Sequence, residues 1–167
     1  MTDQWRNRIT GHGEEAPDQL LANPRNWRIH PKEQQDALSG LLDQVGWVQD
    51  VIVNRTTGHV VDGHLRVSLA ISRQEQTIPV VYVELSPDEE GLVLAAIDPI
   101  AAMAATDDEA LRMLLADVVV ESQALQTMLS GVSSDVPDFQ PVGIDEQGRL
   151  DQKKPVTCPE CGHEFTT

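Results

Sequence analysis

Val60-Val61-Asp62-Gly63-His64-Leu65-Arg66-Val67 is the stretch on which the fold turns. Two valines and an aspartate end an extended run, glycine interrupts it, and Leu65 to Arg73 continues with helical periodicity. A strand that passes through glycine directly into a helix has chemical potential. Gly63 lets the backbone come close to a ligand. The helix start presents N–H groups without intrahelical partners and a partial positive charge, a setting that suits phosphate. Arg66 adds a planar fork of donors and His64 a further one. Asp62 is placed to orient His64, to hold a metal ion or to act as a base. The same residues also fit a plainer reading: a tight turn that needs Gly63 sterically, with His64 capping the helix and Arg66 on the surface.

The flanking segments supply a sheet. Val48 to Asn54 reads as a strand, Arg55 to Gly58 as a turn and His59 to Asp62 as the returning strand, which makes a hairpin. Thr77 to Val83 is a further apolar strand, and Pro79 marks it as an edge or as a strand's beginning. Arg6 to Gly13 is a short first strand around Ile9, followed by one helical turn over Ala16 to Leu21. Asn23 to Arg28 is an extended polar loop, since Pro24 biases Asn23 away from helical geometry.

Pro31 is expected at the first position of a helix whose apolar face is Ala37, Leu38, Leu41, Leu42 and Val45. Gly46 is expected to stop it in a left-handed conformation. Ser86-Pro87-Asp88-Glu89 and Thr106-Asp107-Asp108-Glu109 are capping boxes for two later helices. Asp98-Pro99 interrupts or ends the first of these. The second carries the stripe Leu111, Leu114, Leu115 and Val118, and its pattern fades near Leu129. The fold class is therefore α/β (α+β): a small mixed β-sheet with surrounding helices and a flexible C-terminal tail. One domain covers residues 6–120, a helix end 121–129, a linker 130–155 and a small separate motif 156–167.

Of the 167 residues 12 are basic and 27 acidic, for a net charge of −15. That field opposes non-specific contact with DNA, although Arg6, Arg8, Arg25 and Arg28 gather near the N-terminus. No apolar run approaches membrane-spanning length, and the first residues lack the apolar core of a signal peptide. A cytoplasmic protein without membrane contact is expected.

Leu21 to Leu38, Val45-Gly-Trp-Val-Gln49, Val51-Ile-Val-Asn54, Val61-Asp-Gly-His-Leu-Arg-Val67 and Ile78-Pro-Val-Val81 follow one another in an order that resembles the ParB N-terminal/sulfiredoxin family. The resemblance spans about residues 6 to 120 and is strongest to ParB-like domains of phages and mobile elements. It implies a ParB/sulfiredoxin-like fold with nucleotide phosphates at Gly63, His64 and Arg66. Asn23 and Arg25 would lie in the loop near the nucleotide, Trp47 where the base is lined, and Asp98 where a Mg²⁺ ligand is held. ParB relatives carry Gly-Glu-Arg-Arg at the loop and bind CTP. Sulfiredoxin-like relatives carry Gly-Cys-His-Arg and bind ATP. Serine-phosphorylating relatives carry Asp-Gly-His-His-Arg.

This chain departs from those patterns. His64 stands where sulfiredoxin has its catalytic cysteine, which removes the thiol that repair needs. Ile97-Asp98-Pro99 stands where ParB has Glu-Asn-x-x-Arg, so the arginine associated with CTP hydrolysis is missing. The resemblance thus implies a nucleoside-triphosphate-binding accessory in DNA transactions, reaching DNA through a partner such as a methyltransferase. An enzyme on the same loop, a nuclease or an ATP-using small-molecule kinase, is the alternative. A protein-interaction adaptor with a vestigial site is the third reading.

Cys158-Pro-Glu-Cys161-Gly-His163 has metal-ligand or redox spacing and resembles one knuckle of a zinc ribbon. Structural zinc takes four ligands. Cys158 and Cys161 supply two, and His163 is a strained third. A homodimer sharing one zinc, a truncated chain and a free redox pair all fit.

Overall fold

The computed structural model describes residues 4–134, 156–157 and 164–165. The chain forms two compact units, Met1–Asp135 and Val136–Thr167. The first contains a mixed four-stranded sheet of β1 (Ile9–Glu15), β2 (Val51–Asn54), β3 (Val60–Asp62) and β4 (Ile78–Val83), in spatial order β1-β4-β2-β3. β2 pairs with β3 as an antiparallel hairpin and with β4 in parallel, and β1 pairs antiparallel to β4. Parallel pairing needs a long crossover. Here β3 and the helix α2 (His64–Arg73) provide it, which places the Asp62–Gly63 turn at the end of the sheet.

The apolar core is built from Val51, Val53, Val60, Val67, Ala70, Ile78 and Val80, with Leu20, Trp47 and Tyr82 packed against it. Valine and isoleucine fill it because β-branched side chains suit a pleated, buried surface. β4 lies between β1 and β2 and is a central strand, so of the two readings of Pro79, edge or strand beginning, the second holds. Pro79 is its second residue, opposite Glu14, so the missing N–H falls where the ladder starts.

Helix α1 runs over Lys32–Val45. Pro31 is its capping residue and not its first helical one: its ψ of 160° is extended, and its carbonyl accepts the Gln35 N–H at 3.1 Å. Gly46 ends α1 with φ 84° and ψ −165°, positive in φ but outside the left-handed helical well. Helix α3 (Pro87–Ala102) has the Ser86/Glu89 capping box, and it continues through Pro99, which lies in its last turn. Asp107, and not Thr106, caps helix α4 (Asp108–Asp117), accepting from the Ala110 N–H at 3.0 Å. α4 buries none of its residues, and Leu114 and Val118 are exposed. Helix α5 (Gln123–Ser134) runs past Leu129 into the stretch read as linker, with Leu125 buried. Among the described residues no helix is long and apolar enough to cross a membrane.

In the second unit, β5 (Val156–Thr157) pairs antiparallel with β6 (Glu164–Phe165). Cys158, Cys161 and His163 lie outside the described residues.

Candidate functional site

Gly63 caps α2 in the left-handed conformation, with φ 94° and ψ 15°, and no side chain caps the helix. The first intrahelical bond is from the Val67 N–H to the Gly63 carbonyl at 3.0 Å. The N–H groups before it are the ones a helix cannot satisfy itself. A Cβ at position 63 would lie 3.1 Å from Val51 Cγ2 and 3.2 Å from Arg66 Nη2. Glycine is thus required both by the backbone and by the closeness of the arginine.

Around this turn two arginines and two aspartates alternate. Arg66 Nη2 donates to Asp62 Oδ2 at 3.0 Å, and Nη1 to Gln49 Oε1 at 3.0 Å. A longer contact of 3.4 Å joins Arg66 Nη2 to the Asp50 carbonyl. Arg28 Nη1 lies 3.9 Å from Asp62 Oδ1, and its Nη2 is 2.6 Å from Asp98 Oδ2. The Arg28, Arg66 and Asp62 side chains are only 15, 14 and 22% exposed, whereas Asp98 is 49% exposed. Among the described residues, the Nε atoms of Arg28 and Arg66 are the buried side-chain polar atoms without a hydrogen-bond partner. A buried donor left unmatched costs about 1–3 kcal/mol, more when charged. Both atoms are closed off by the protein around them, while the Nη atoms of the same groups make the bonds to Asp62, Asp98 and Gln49.

The structure therefore brings Asp62, Gly63, Arg66 and Asp98 together, and it adds Arg28 as the link between the aspartates. Sequence reasoning placed Arg28 among the arginines near the N-terminus and in the polar loop that the resemblance sets near the nucleotide, with no contact assigned to it. The available signal was the crowding of Asn and Arg over residues 23–28, which does not say which arginine turns inward.

His64 sits at the same turn with its ring directed to protein groups. Its Nε2 accepts the Asn23 backbone N–H at 3.4 Å, and the ring also bonds the Val60 backbone. Burial pushes the His64 pKa below its usual value, helped by Arg28 and His30 and opposed by Asp62 and the Val60 bond. Near neutral pH the ring is accordingly uncharged. It ties the Asn23 loop to the start of α2.

Asn23 is buried and belongs to a second polar cluster. Its Nδ2 donates to Glu90 Oε1 at 2.8 Å, while Asn54 Nδ2 donates to Glu90 Oε2 at 2.7 Å and the Thr57 hydroxyl donates to the same oxygen. Glu90 is 2% exposed. Burial raises its pKa, but the bonds from Thr57, Asn54 and Asn23 and the nearby His59 outweigh it, so the net shift is downward. A buried carboxylate is tolerable when every lone pair has such a partner. Sequence reading did not single out Glu90, because in the sequence it is one more acid in the first turn of α3.

Arg25 engages the start of α3: its Nη1 donates to the Pro87 carbonyl at 3.0 Å. Gly91 makes room for it, since a Cβ there would meet Arg25 Nη2 at 1.7 Å. Trp47 is half-buried against the core and lines a shallow cleft with Leu42, Leu69 and Arg73. Neither residue contacts the Asp62–Arg66 pair through any of these bonds.

The described residues contain no group of three or more His, Cys, Asp or Glu side chains arranged to hold a metal ion. No protein family's profile matches the chain, and no curated protein matches it. Among solved structures it is similar to the C-terminally truncated chromosome-partitioning protein ParB from Caulobacter crescentus complexed with CTP-gamma-S. The identity is 22% and the TM-score 0.49, over 63% of each chain. It is also similar to the pNOB8-like ParB N-domain in two structures, at 11% identity with TM-score 0.42 and at 9% identity with TM-score 0.45. The matches cover 96 and 98% of this chain but only 59 and 56% of those. The chain thus spans less than two thirds of the length of each of these three structures.

Proposed function

We propose that the chain is a ParB-like nucleotide-binding domain that serves DNA transactions of a phage or mobile element. The observation that carries this reading is the pair of inward arginines, Arg28 and Arg66, that share the Asp62 carboxylate beside the start of α2, where no side chain caps the helix. Phosphate oxygens are the acceptors that guanidinium groups and the free N–H groups of a helix start favour. The ordered motifs from Leu21 to Val81 support the nucleotide as the source of the phosphate.

Mg²⁺ enters such sites held by one or two carboxylates together with the substrate phosphates. Asp98, half exposed beside Arg28, is the carboxylate best placed for that. DNA is reached through a partner such as a methyltransferase: residues 86–134 carry nine acids and one arginine, which repel a duplex.

Titration calorimetry with CTP, ATP and GTP in the presence of Mg²⁺ tests the reading. Saturable heat and a raised melting temperature with at least one nucleotide are expected. Arg66→Ala removes charge-assisted hydrogen bonds of about 1.5–3 kcal/mol, which corresponds to roughly 10- to 150-fold weaker binding. No heat and no thermal shift with any nucleotide would sink the proposal.

We also propose that the Cys158/Cys161 segment holds zinc, with His163 as a third ligand or with a second copy of the chain completing the site. In support, β5 and β6 pair on either side of that segment with Val156 opposite Phe165. Purified protein is expected to carry about one zinc per chain or per pair of chains, released by a strong chelator. Metal-free protein after gentle purification would reject it.

A further inference from the structure

We infer that Asp62 is a built-in competitor for the anion that Arg28 and Arg66 receive, an inference that rests on the nucleotide-binding reading above. The two oxygens of this carboxylate face two different guanidinium groups. Oδ2 is 3.0 Å from Arg66 Nη2 and Oδ1 is 3.9 Å from Arg28 Nη1. That is the placement of a bridging anion. Asp62 ends β3, one residue before the Gly63 cap of α2, and its side chain turns to the two arginines.

The fit is incomplete in a way that favours exchange. Asp62 satisfies one edge donor of Arg66 and leaves the buried Nε atoms of Arg66 and Arg28 unmatched. A terminal phosphate carries more charge and three oxygens, and it can bond both guanidinium groups where the carboxylate stays 3.9 Å from Arg28 Nη1. The arginines also have separate anchors. Gln49 Oε1 and the Asp50 carbonyl hold Arg66, and Asp98 holds Arg28. When Asp62 gives way, the forks remain positioned. Binding then swaps one anion for another on a preformed pair, and Asp62 sets how strong an anion is needed to enter.

This assignment predicts the opposite of a metal-ligand or general-base role for Asp62. Asp62→Asn keeps the shape and removes the charge. Wild-type, Asp62→Asn and Asp98→Asn proteins are titrated with CTP, ATP and GTP, each with and without Mg²⁺, and melted without ligand. Asp62→Asn is expected to melt lower without ligand, to bind the preferred nucleotide about fivefold more tightly, the scale of one partly buried ion pair, and to keep its Mg²⁺ dependence. Asp98→Asn is expected to bind more weakly, because Arg28 loses its anchor. Wild-type binding with Asp62→Asn equal or weaker overturns this inference and leaves the nucleotide reading standing. No binding by wild type or by Asp62→Asn overturns the nucleotide reading itself. Should Asp62→Asn fail to fold, Asp62→Ser is read by the same criteria.

Discussion

Glu90→Ala is expected to lower the melting temperature of the first unit by roughly 10–30 °C. The substitution strips the acceptor from the Asn23 amide, the Asn54 amide and the Thr57 hydroxyl at a position only 2% exposed. Asn54 keeps a second acceptor in the Leu85 carbonyl at 3.1 Å, which limits the loss there. Breaking a buried network of this kind costs about 3–5 kcal/mol, and a unit of this size loses about 3–6 °C per kcal/mol. Glu90→Gln keeps the volume but turns an amide toward donors, so an intermediate loss is expected.

The same carboxylate gives a pH signature. Its folded-state pKa lies below the ordinary value of 4.5, so its contribution is complete above that value and is lost as pH falls through the folded pKa. Glu89 acts in the same direction. Its carboxylate is held down to about 2, chiefly by the Ser86 backbone N–H and by Arg8. Acid destabilisation is therefore expected between about pH 4.5 and pH 2, and it should be shallower in Glu90→Gln. Circular dichroism melts across that range check both. An unchanged melting temperature in Glu90→Ala would show that the cluster is not the hub described above. The consequence reaches the site, because Asn23 is the residue whose backbone N–H holds the His64 ring.

Gly63→Val is expected to cost about 3–4 kcal/mol and to weaken nucleotide binding. A φ of 94° is a region that L residues occupy at about 1–2 kcal/mol, and β-branched ones at more. The new Cβ also meets Val51 Cγ2 at 3.1 Å and Arg66 Nη2 at 3.2 Å. Val51 is fully buried in the core and yields little, and overpacking there adds about 1–3 kcal/mol. Arg66 is the part free to move, and a shift of its guanidinium group disturbs the bond to Asp62. Gly63→Ala should show the same pattern at roughly half the cost. Urea denaturation measures the stability change, and calorimetry on the folded protein measures binding. A valine variant as stable as wild type would contradict the backbone argument. A folded one that binds nucleotide as tightly as wild type would contradict the placement of Arg66.

What the sequence determined by itself was local. The β2–β3 hairpin, the glycine turn into α2, the Ser86 capping box and a mixed α/β sheet all follow from periodicity, turn chemistry and capping. These act over a few residues, and the folded chain obeys them. Asp62, Gly63 and Arg66 were legible for the same reason: they share one turn. The tertiary structure decided the rest. β4 became a central strand because β1, from the far end of the unit, pairs on its outer side. Arg28 turned inward and Arg25 outward because Asp98 of α3 offers a carboxylate to the one, and the Pro87 carbonyl with the space above Gly91 receives the other. Asn23 and Glu90 became a structural hub because they meet 67 residues apart. Residue types report what a side chain is able to bond. Which partner it finds is set by packing between distant segments, and two arginines three residues apart carry no local difference that would tell their fates apart.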